Sequence, residues 1–267
     1  MTSFFTAKKI TLAMTLASSL MAANAFATIV QIQTNLGIID INLYDHDAAV
    51  KPTVDNFLNY ASAAEGYGSY NDSIIHRSVK NFVIQGGGHT YSDTGYPSTI
   101  STAPAIMNAP VYSNIRGTIS MAKVGNYPNS ATNNWFINLV DNNVSLDANN
   151  AGYTVFGEVV NGMDIVDKIA ALPIFIMGAF NEIPLSAYSY EDVINKLPLT
   201  KDNYVVVEKI VVIDANPNTA AALNPVKNTL ITETEKKKSS SGSTGLGMLA
   251  LLGMLLGLGL RARTTNA

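Results

Sequence analysis

Apolar and polar residues alternate in two neighbouring stretches early in the chain, Ile29-Val30-Gln31-Ile32-Gln33-Thr34 and Ile38-Ile39-Asp40-Ile41-Asn42-Leu43-Tyr44. A period of two sends successive side chains to opposite faces of a strand, and Asn35-Leu36-Gly37 between the stretches supplies a turn, so the pattern predicts a β-hairpin. The spacing then becomes helical: Val54, Phe57, Leu58 and Ala61 follow Pro52, predicting an amphipathic helix over Pro52 to Ala64. Gly66 to Asp72 reads as a loop, and Pro97, Pro104 and Pro110 make His89 to Val111 an extended surface segment. Short strands are expected at Gly117 to Ala122, Trp135 to Leu139, Tyr153 to Phe156 and Tyr204 to Val212. A second helix spans Asp164 to Leu172, and Tyr190 to Leu197 suggests a small third. Many short strands with few helices and no repeated βα alternation favour an all-β barrel or sandwich.

The two ends depart from this pattern. Lys8 and Lys9, the apolar run Ile10 to Ala23 and the small-residue site Ala25-Phe26-Ala27 have the order of a secretory leader, with cleavage expected after Ala27. Ser239 to Gly245 is rich in Ser and Gly, Leu246 to Leu260 is almost wholly apolar, and Arg261 and Arg263 follow. This reads as a membrane segment shorter than the roughly 20 residues that usually span a bilayer, with its arginines on the cytoplasmic side. The tail resembles the GlyGly-type C-terminal sorting tails of Gram-negative bacteria, without a strict Gly-Gly pair. The expected organisation is a leader over 1–27, one folded domain over 28–215, a flexible linker over 216–245 and a membrane or sorting segment over 246–267. Export to the periplasm follows, with a tether to the inner membrane or sorting to the surface through the tail.

Composition narrows the chemistry. The 267 residues contain no cysteine, which excludes disulfides, thiol catalysis and thiolate metal sites. A net charge of -3 without a basic stripe in the body argues against a nucleic-acid partner. Gly86-Gly87-Gly88 is not followed by the Lys-Ser/Thr of a phosphate loop, no Gly-x-Ser-x-Gly elbow is present, and His46, His76 and His89 lack the pairing of a zinc protease. No metal and no cofactor are expected.

The distinctive stretch is Ile75-His76-Arg77-Ser78-Val79-Lys80-Asn81-Phe82-Val83-Ile84-Gln85-Gly86-Gly87-Gly88. If two strands bend at Lys80-Asn81, the period of two turns Arg77, Phe82 and Gln85 towards one half-apolar, half-polar surface.

Together with Pro52-x-x-x-x-Asn56-Phe57, Arg116-Gly117-Thr118-Ile119-Ser120-Met121-Ala122, Phe136-Ile137-Asn138, Leu146-Asp147 and Val155-Phe156-Gly157, this stretch resembles the cyclophilins, and most of all their bacterial periplasmic branch. The resemblance runs from about Ile29 to Val212. It implies a mainly β fold, an eight-stranded antiparallel closed barrel capped by two helices, and peptidyl-prolyl cis/trans isomerase activity. It makes Arg77 the catalytic arginine, places Phe82, Val83, Phe136 and Leu146 around the substrate proline, and gives Gln85 and Ala122 the peptide backbone. Tyr153 stands where eukaryotic members carry His. Lys123 falls where the family uses backbone contacts to the peptide, so the identity of its side chain is expected to matter less. Asn134 replaces the usual Gln, Trp135 replaces a Phe and is expected to face the core, and Ser145 replaces an aromatic wall. The connection over Leu172 to Asn203 is longer than in typical members.

The implied partners are proline-containing segments of exported proteins, met by a monomer. The competing reading is a cyclophilin-like module or chaperone that holds such segments with weak turnover, favoured by Asn134 and Ser145.

Overall fold

The hairpin forms as β1 (Ile29–Thr34) and β2 (Gly37–Leu43), with Ile32 opposite Ile39. Val30, Ile32, Ile39 and Ile41 are buried, whereas Ile38 is exposed, so one face of the ribbon meets the core. The computed structural model describes residues 28–91, 96–216, 219–220 and 223–231. The expected leader and C-terminal membrane segment lie outside the described residues.

The remaining strands are β3 (Ser73–Ile74), β4 (Arg77–Val79), β5 (Val83–Gly86), β6 (His89–Thr90), β7 (Ser98–Thr99), β8 (Thr118–Met121), β9 (Trp135–Asn138), β10 (Val155–Asn161), β11 (Ile174–Met177), β12 (Phe180–Pro184) and β13 (Val206–Asp214). All but β11 and β12 join one sheet in the order β4-β5-β9-β8-β10-β2-β1-β13-β3-β6-β7. Its pairings are antiparallel, and the sheet is strongly curled. The curl is visible in one ribbon: Ile74 pairs with Val206, the Ile75 amide donates to the Val205 carbonyl at 3.0 Å, and the His76 amide donates to the Gln85 carbonyl at 3.1 Å. A chain that leaves β13 and reaches β5 within a few residues brings the two sides of the sheet together. Counting β3 and β4 as one interrupted strand, and setting aside the small β6–β7 pair, gives the expected strand set.

The helices α1 (Lys51–Ala61) and α3 (Met163–Ala170) cover this sheet, flanked by the shorter α2 (Asn143–Leu146) and α4 (Tyr190–Ile194). Pro stands in the first turn of α1, where its missing N–H costs no helical bond, and Val54, Phe57 and Tyr60 are buried. Val166 and Ile169 do the same work for α3. Trp135 faces the main core, as its position in the strand requires, and its ring fixes the glycines beside it: a Cβ on Gly86 would come within 2.8 Å of the Trp135 ring. On Gly87, whose φ of +83° already favours glycine, a Cβ would come within 2.4 Å of the Asn133 carbonyl.

Two stretches are more ordered than the pattern suggests. The connection after α3 folds into the antiparallel hairpin β11–β12, and Phe175, Phe180, Ile183, Leu185 and Tyr188 form a second core with Ile74, Tyr204 and Val206. Within the stretch expected to be a linker, residues 226–231 lie along the loop at 110–113. The Ser113 amide donates to the Val226 carbonyl at 2.8 Å, the Asn228 amide donates to the Val111 carbonyl at 3.0 Å, and Ile231 is buried.

Candidate active site

Register across three strands builds the site. Arg77 on β4 stands opposite Gln85 on β5, and Gln85 stands opposite Phe136 on β9, so a cation, an amide and an aromatic ring form one row on one face of the sheet. Val83, two residues before Gln85, shares that face. Between β4 and β5 the chain reverses at Asn81, whose φ of +55° suits an Asn turn, and the Phe82 amide donates to the Val79 carbonyl at 3.0 Å. The Phe82 carbonyl accepts bonds from the Leu139 amide and from Asn142 Nδ2, both at 2.9 Å, which pins the turn beside the row.

Next to the row is an apolar pocket separate from the main core. Val83, Ala122, Phe136, Leu146 and Tyr153 pack together, with Phe82 against them. The Phe136 and Tyr153 rings meet edge to face, centroids 5.9 Å apart. Leu146 and Tyr153 are tied across the loop by the Tyr153 amide donating to the Leu146 carbonyl at 3.0 Å. Behind them Asp147 is buried; its carboxylate accepts from Ser113 Oγ and from the Asn114 amide and Nδ2. The expected site residues Arg77, Phe82, Val83, Gln85, Ala122, Phe136, Leu146 and Tyr153 therefore lie in the row and its adjoining pocket.

The Arg77 guanidinium is half-buried. Its Nε donates to Glu182 Oε2 on β12 at 2.8 Å, while Nη1 is buried with no partner among the described residues. The neighbouring His76 is held neutral: burial first, then the charges of His89 and Arg77, lower its pKa to about 3. Burial lowers that of His89 as well, and the two imidazoles meet edge to face at 4.9 Å. Neutral histidines leave Arg77 as the cation of this corner.

These features sit on a recognisable frame. The family model described as cyclophilin type peptidyl-prolyl cis-trans isomerase/CLD matches residues 29–184. The chain belongs to the cyclophilin-type peptidyl-prolyl cis-trans isomerases.

A peptidyl-prolyl cis-trans isomerase of Acinetobacter baylyi is 41% identical to this cyclophilin over 175 residues, covering 64% of this chain and 88% of the relative. Peptidyl-prolyl cis-trans isomerase B of Escherichia coli K12 is 40% identical over 160 residues, covering 58% of this chain and 92% of the relative. The fold is also that of a Cryptosporidium parvum cyclophilin solved in the presence of the dipeptide Ala-Pro, with a TM-score of 0.50 at 21% identity, covering 70% of this chain and 99% of that one.

Within the cyclophilin frame, three positions differ from the sequence reading or extend it. Lys123 is not a bystander: its side chain is buried, its Nζ donates to the Asn150 carbonyl at 2.8 Å and to that of Gly152, and it lies over the Tyr153 ring. Burial lowers its pKa to about 7. Asn134 Nδ2 donates to Asn133 Oδ1 at 2.9 Å, and its amide group packs over Gly88, where any Cβ would collide with it. Ser145 turns its hydroxyl to the Asn142 carbonyl at 3.1 Å and adds no wall to the pocket. Sequence reasoning missed Glu182. No local signal pointed to it: Phe180-Asn181-Glu182-Ile183 mixes apolar and polar residues, and the partner of the carboxylate is distant in the sequence.

Proposed function

We propose that this isomerase accelerates X-Pro rotation by binding the twisted amide through Arg77 while the pocket of Val83, Phe136, Leu146 and Tyr153 holds the proline ring. The observation that carries the reading is the row Arg77–Gln85–Phe136 bordering that pocket. The planar X-Pro bond resists rotation by ~18 to 20 kcal/mol because its C–N bond is partly double. No bond has to break, so the protein need only bind the twisted form better than either planar isomer. As the amide twists, its nitrogen regains a lone pair. A guanidinium placed there, as on Arg77, donates a hydrogen bond that the planar ground state accepts poorly. Gln85, one strand inward, aligns the peptide backbone, and the apolar walls exclude water and keep the ring still while the carbonyl side turns.

The substrates proposed are proline-containing segments of exported proteins. The leader-like order of Lys8, Lys9, Ile10 to Ala23 and Ala25-Phe26-Ala27 supports this reading, as does the apolar tail Leu246 to Leu260 ending in arginines. Fractionation of cells producing the full chain and a chain ended before Leu246 tests the tail. The full chain should follow the membrane and the shortened one the soluble periplasm, with equal isomerase activity; identical fractionation would refute the tether.

The mechanism is tested by Arg77→Ala in a proline-isomerisation assay on the purified protein. Turnover should fall by tens to thousands of times, since loss of one preorganised donor costs up to ~2.7 to 4 kcal/mol, while the fold survives. Wild-type turnover in that variant would refute the role given to Arg77.

A further inference from the structure

The ion pair between Arg77 and Glu182 joins the site to a part of the chain outside the row and its pocket. β4 ends the sheet order, so Arg77 has a ladder partner on one side only, Gln85. A long side chain on such an edge has many rotamers available, and a donor that must meet a twisted amide loses effectiveness if it wanders. On the open side stands β12, and Glu182 Oε2 accepts a hydrogen bond from Arg77 Nε at 2.8 Å.

The carboxylate is itself held in place. Its neighbour Ile183 is fully buried and Phe180 nearly so, both in the second core with Ile74 and Val206. The Phe180 ring meets His89 edge to face at 4.8 Å and lies 6.3 Å from His76, the residue before Arg77. The hairpin is thus packed against the strand that carries the arginine. Use of Nε by Glu182 leaves the guanidinium with further donors to offer an acceptor, although Nη1 itself is buried, without a partner among the described residues.

We infer that Glu182 is a positioning residue for Arg77, and that the β11–β12 hairpin is therefore part of the isomerase machinery. This rests on the proposed role of Arg77. Glu182 clamps the guanidinium at Nε so that a further donor meets the substrate amide already oriented, and the benefit is confined to the twisted state. Loss of the clamp therefore lowers kcat and spares KM.

The test is steady-state isomerisation of one proline peptide by the wild type, Glu182→Gln, Glu182→Asp, Glu182→Ala, Arg77→Ala and the double variant Arg77→Ala/Glu182→Gln. Glu182→Gln keeps the shape of the side chain and its packing. We expect it to lower kcat about tenfold, less than the ~hundredfold that a misplacement of 1 Å can cost, with KM within about twofold. Glu182→Asp should recover part of that loss and Glu182→Ala none of it. In the Arg77→Ala background Glu182→Gln should change nothing. The Arg77 Nε–Hε resonance should exchange slowly with solvent in the wild type and rapidly in Glu182→Ala. Wild-type kcat in both Glu182→Gln and Glu182→Ala, with Arg77→Ala impaired, would overturn the clamp and leave the arginine mechanism standing. An equal loss from Glu182→Gln with and without Arg77 would also overturn it, because Glu182 would then act elsewhere. Full activity in Arg77→Ala would instead remove the mechanism beneath both.

Discussion

The Lys123 ammonium lies 4.6 Å from the centroid of the Tyr153 ring and donates to the carbonyls of Asn150 and Gly152 on the loop leading into that tyrosine. The loop needs such a tie. Asn150, Ala151 and Gly152 all have positive φ, of 53°, 58° and 69°, and the non-glycine pair would relax to commoner conformations if released. Asn108 Nδ2 completes the hold with bonds to the carbonyls of Ala151 and Gly152 at 2.8 and 3.0 Å. Lys123→Met keeps the apolar stem and removes the donors. It should raise KM for proline peptides several-fold and destabilise the protein by about 1 to 3 kcal/mol through loss of both bonds, the Asn150 carbonyl being left without this donor while Gly152 keeps Asn108, with faster hydrogen exchange at the Tyr153 amide. The same variant bears on alkaline stability. With its folded pKa depressed to about 7 from 10.5, Lys123 binds a proton in the unfolded chain but not in the folded one across that window, so stability rises with pH from about 7 to 10.5. Denaturant unfolding of Lys123→Met should lack that rise.

In the proposed mechanism Phe136 holds the proline ring in ground and transition states alike, so its loss should look different from that of Arg77. Phe136→Ala should weaken peptide binding as well as turnover and cost ~3 to 5 kcal/mol of stability, because the ring is fully buried between Tyr153 and the sheet. Calorimetric titration with a proline peptide and denaturant unfolding read the two effects separately. Unchanged affinity would place the proline ring elsewhere.

Acid should act first on the histidine pair. His76 has a folded pKa of about 3 against 6.5, and that of His89 is also lowered, so below pH 6.5 the unfolded chain gains protons that the folded chain refuses. Their contribution to stability is complete above pH 6.5 and is lost as the pH falls from 6.5 towards about 3. A melting series over that range should fall steeply for the wild type and less steeply for His76→Asn. Parallel slopes would assign acid lability to other groups, such as carboxylates.

The segment at 226–231 should be part of the folded unit. Ile231 packs on Gly152, where an added Cβ would come within 2.5 Å of it, and Asn228 Nδ2 donates to the Asp147 carbonyl at 3.1 Å. Lys227 adds its Nζ 3.9 Å from the Tyr112 ring centroid. Ile231→Ala should cost about 2 to 4 kcal/mol, against nearly nothing for an isoleucine in a free linker. Thermal unfolding of the full chain distinguishes these outcomes.

The amphipathic ribbons were legible in the sequence. β1 occupies Ile29–Thr34 as its alternation requires, and the expected helices form at Lys51–Ala61 and Met163–Ala170 with only their ends shifted. β11 was not legible: its apolar residues report no burial pattern, since Phe175 is buried while Ile174 and Ile176 are exposed, and Pro173 reads as a stop. Arg77 and Gln85 were expected on one face and stand opposite each other there. Phe82, expected beside them by the period of two, is an odd number of residues from Gln85 and sits in the turn before β5, packed against the pocket. The third member of the row is Phe136, from a distant strand. Glu182 could not be anticipated, because its partner is 105 residues away and no local period encodes such a pairing. The side chain of Lys123 was misjudged for the same reason, its acceptors lying on a loop 27 and 29 residues on.

The ribbon that runs from Ser73 to Val79 takes its first partner from β13 and its next from β5. Arg77 thus stands at a seam joined by nearly the last strand of the folded body, and loop closure over such a separation comes late in folding. A chain still being made, or one ended before Val206, holds every groove residue yet lacks the strand that fixes the ribbon beneath the arginine. Such chains should be inactive, so that the enzyme becomes able to act on other proteins only when its own folding is complete.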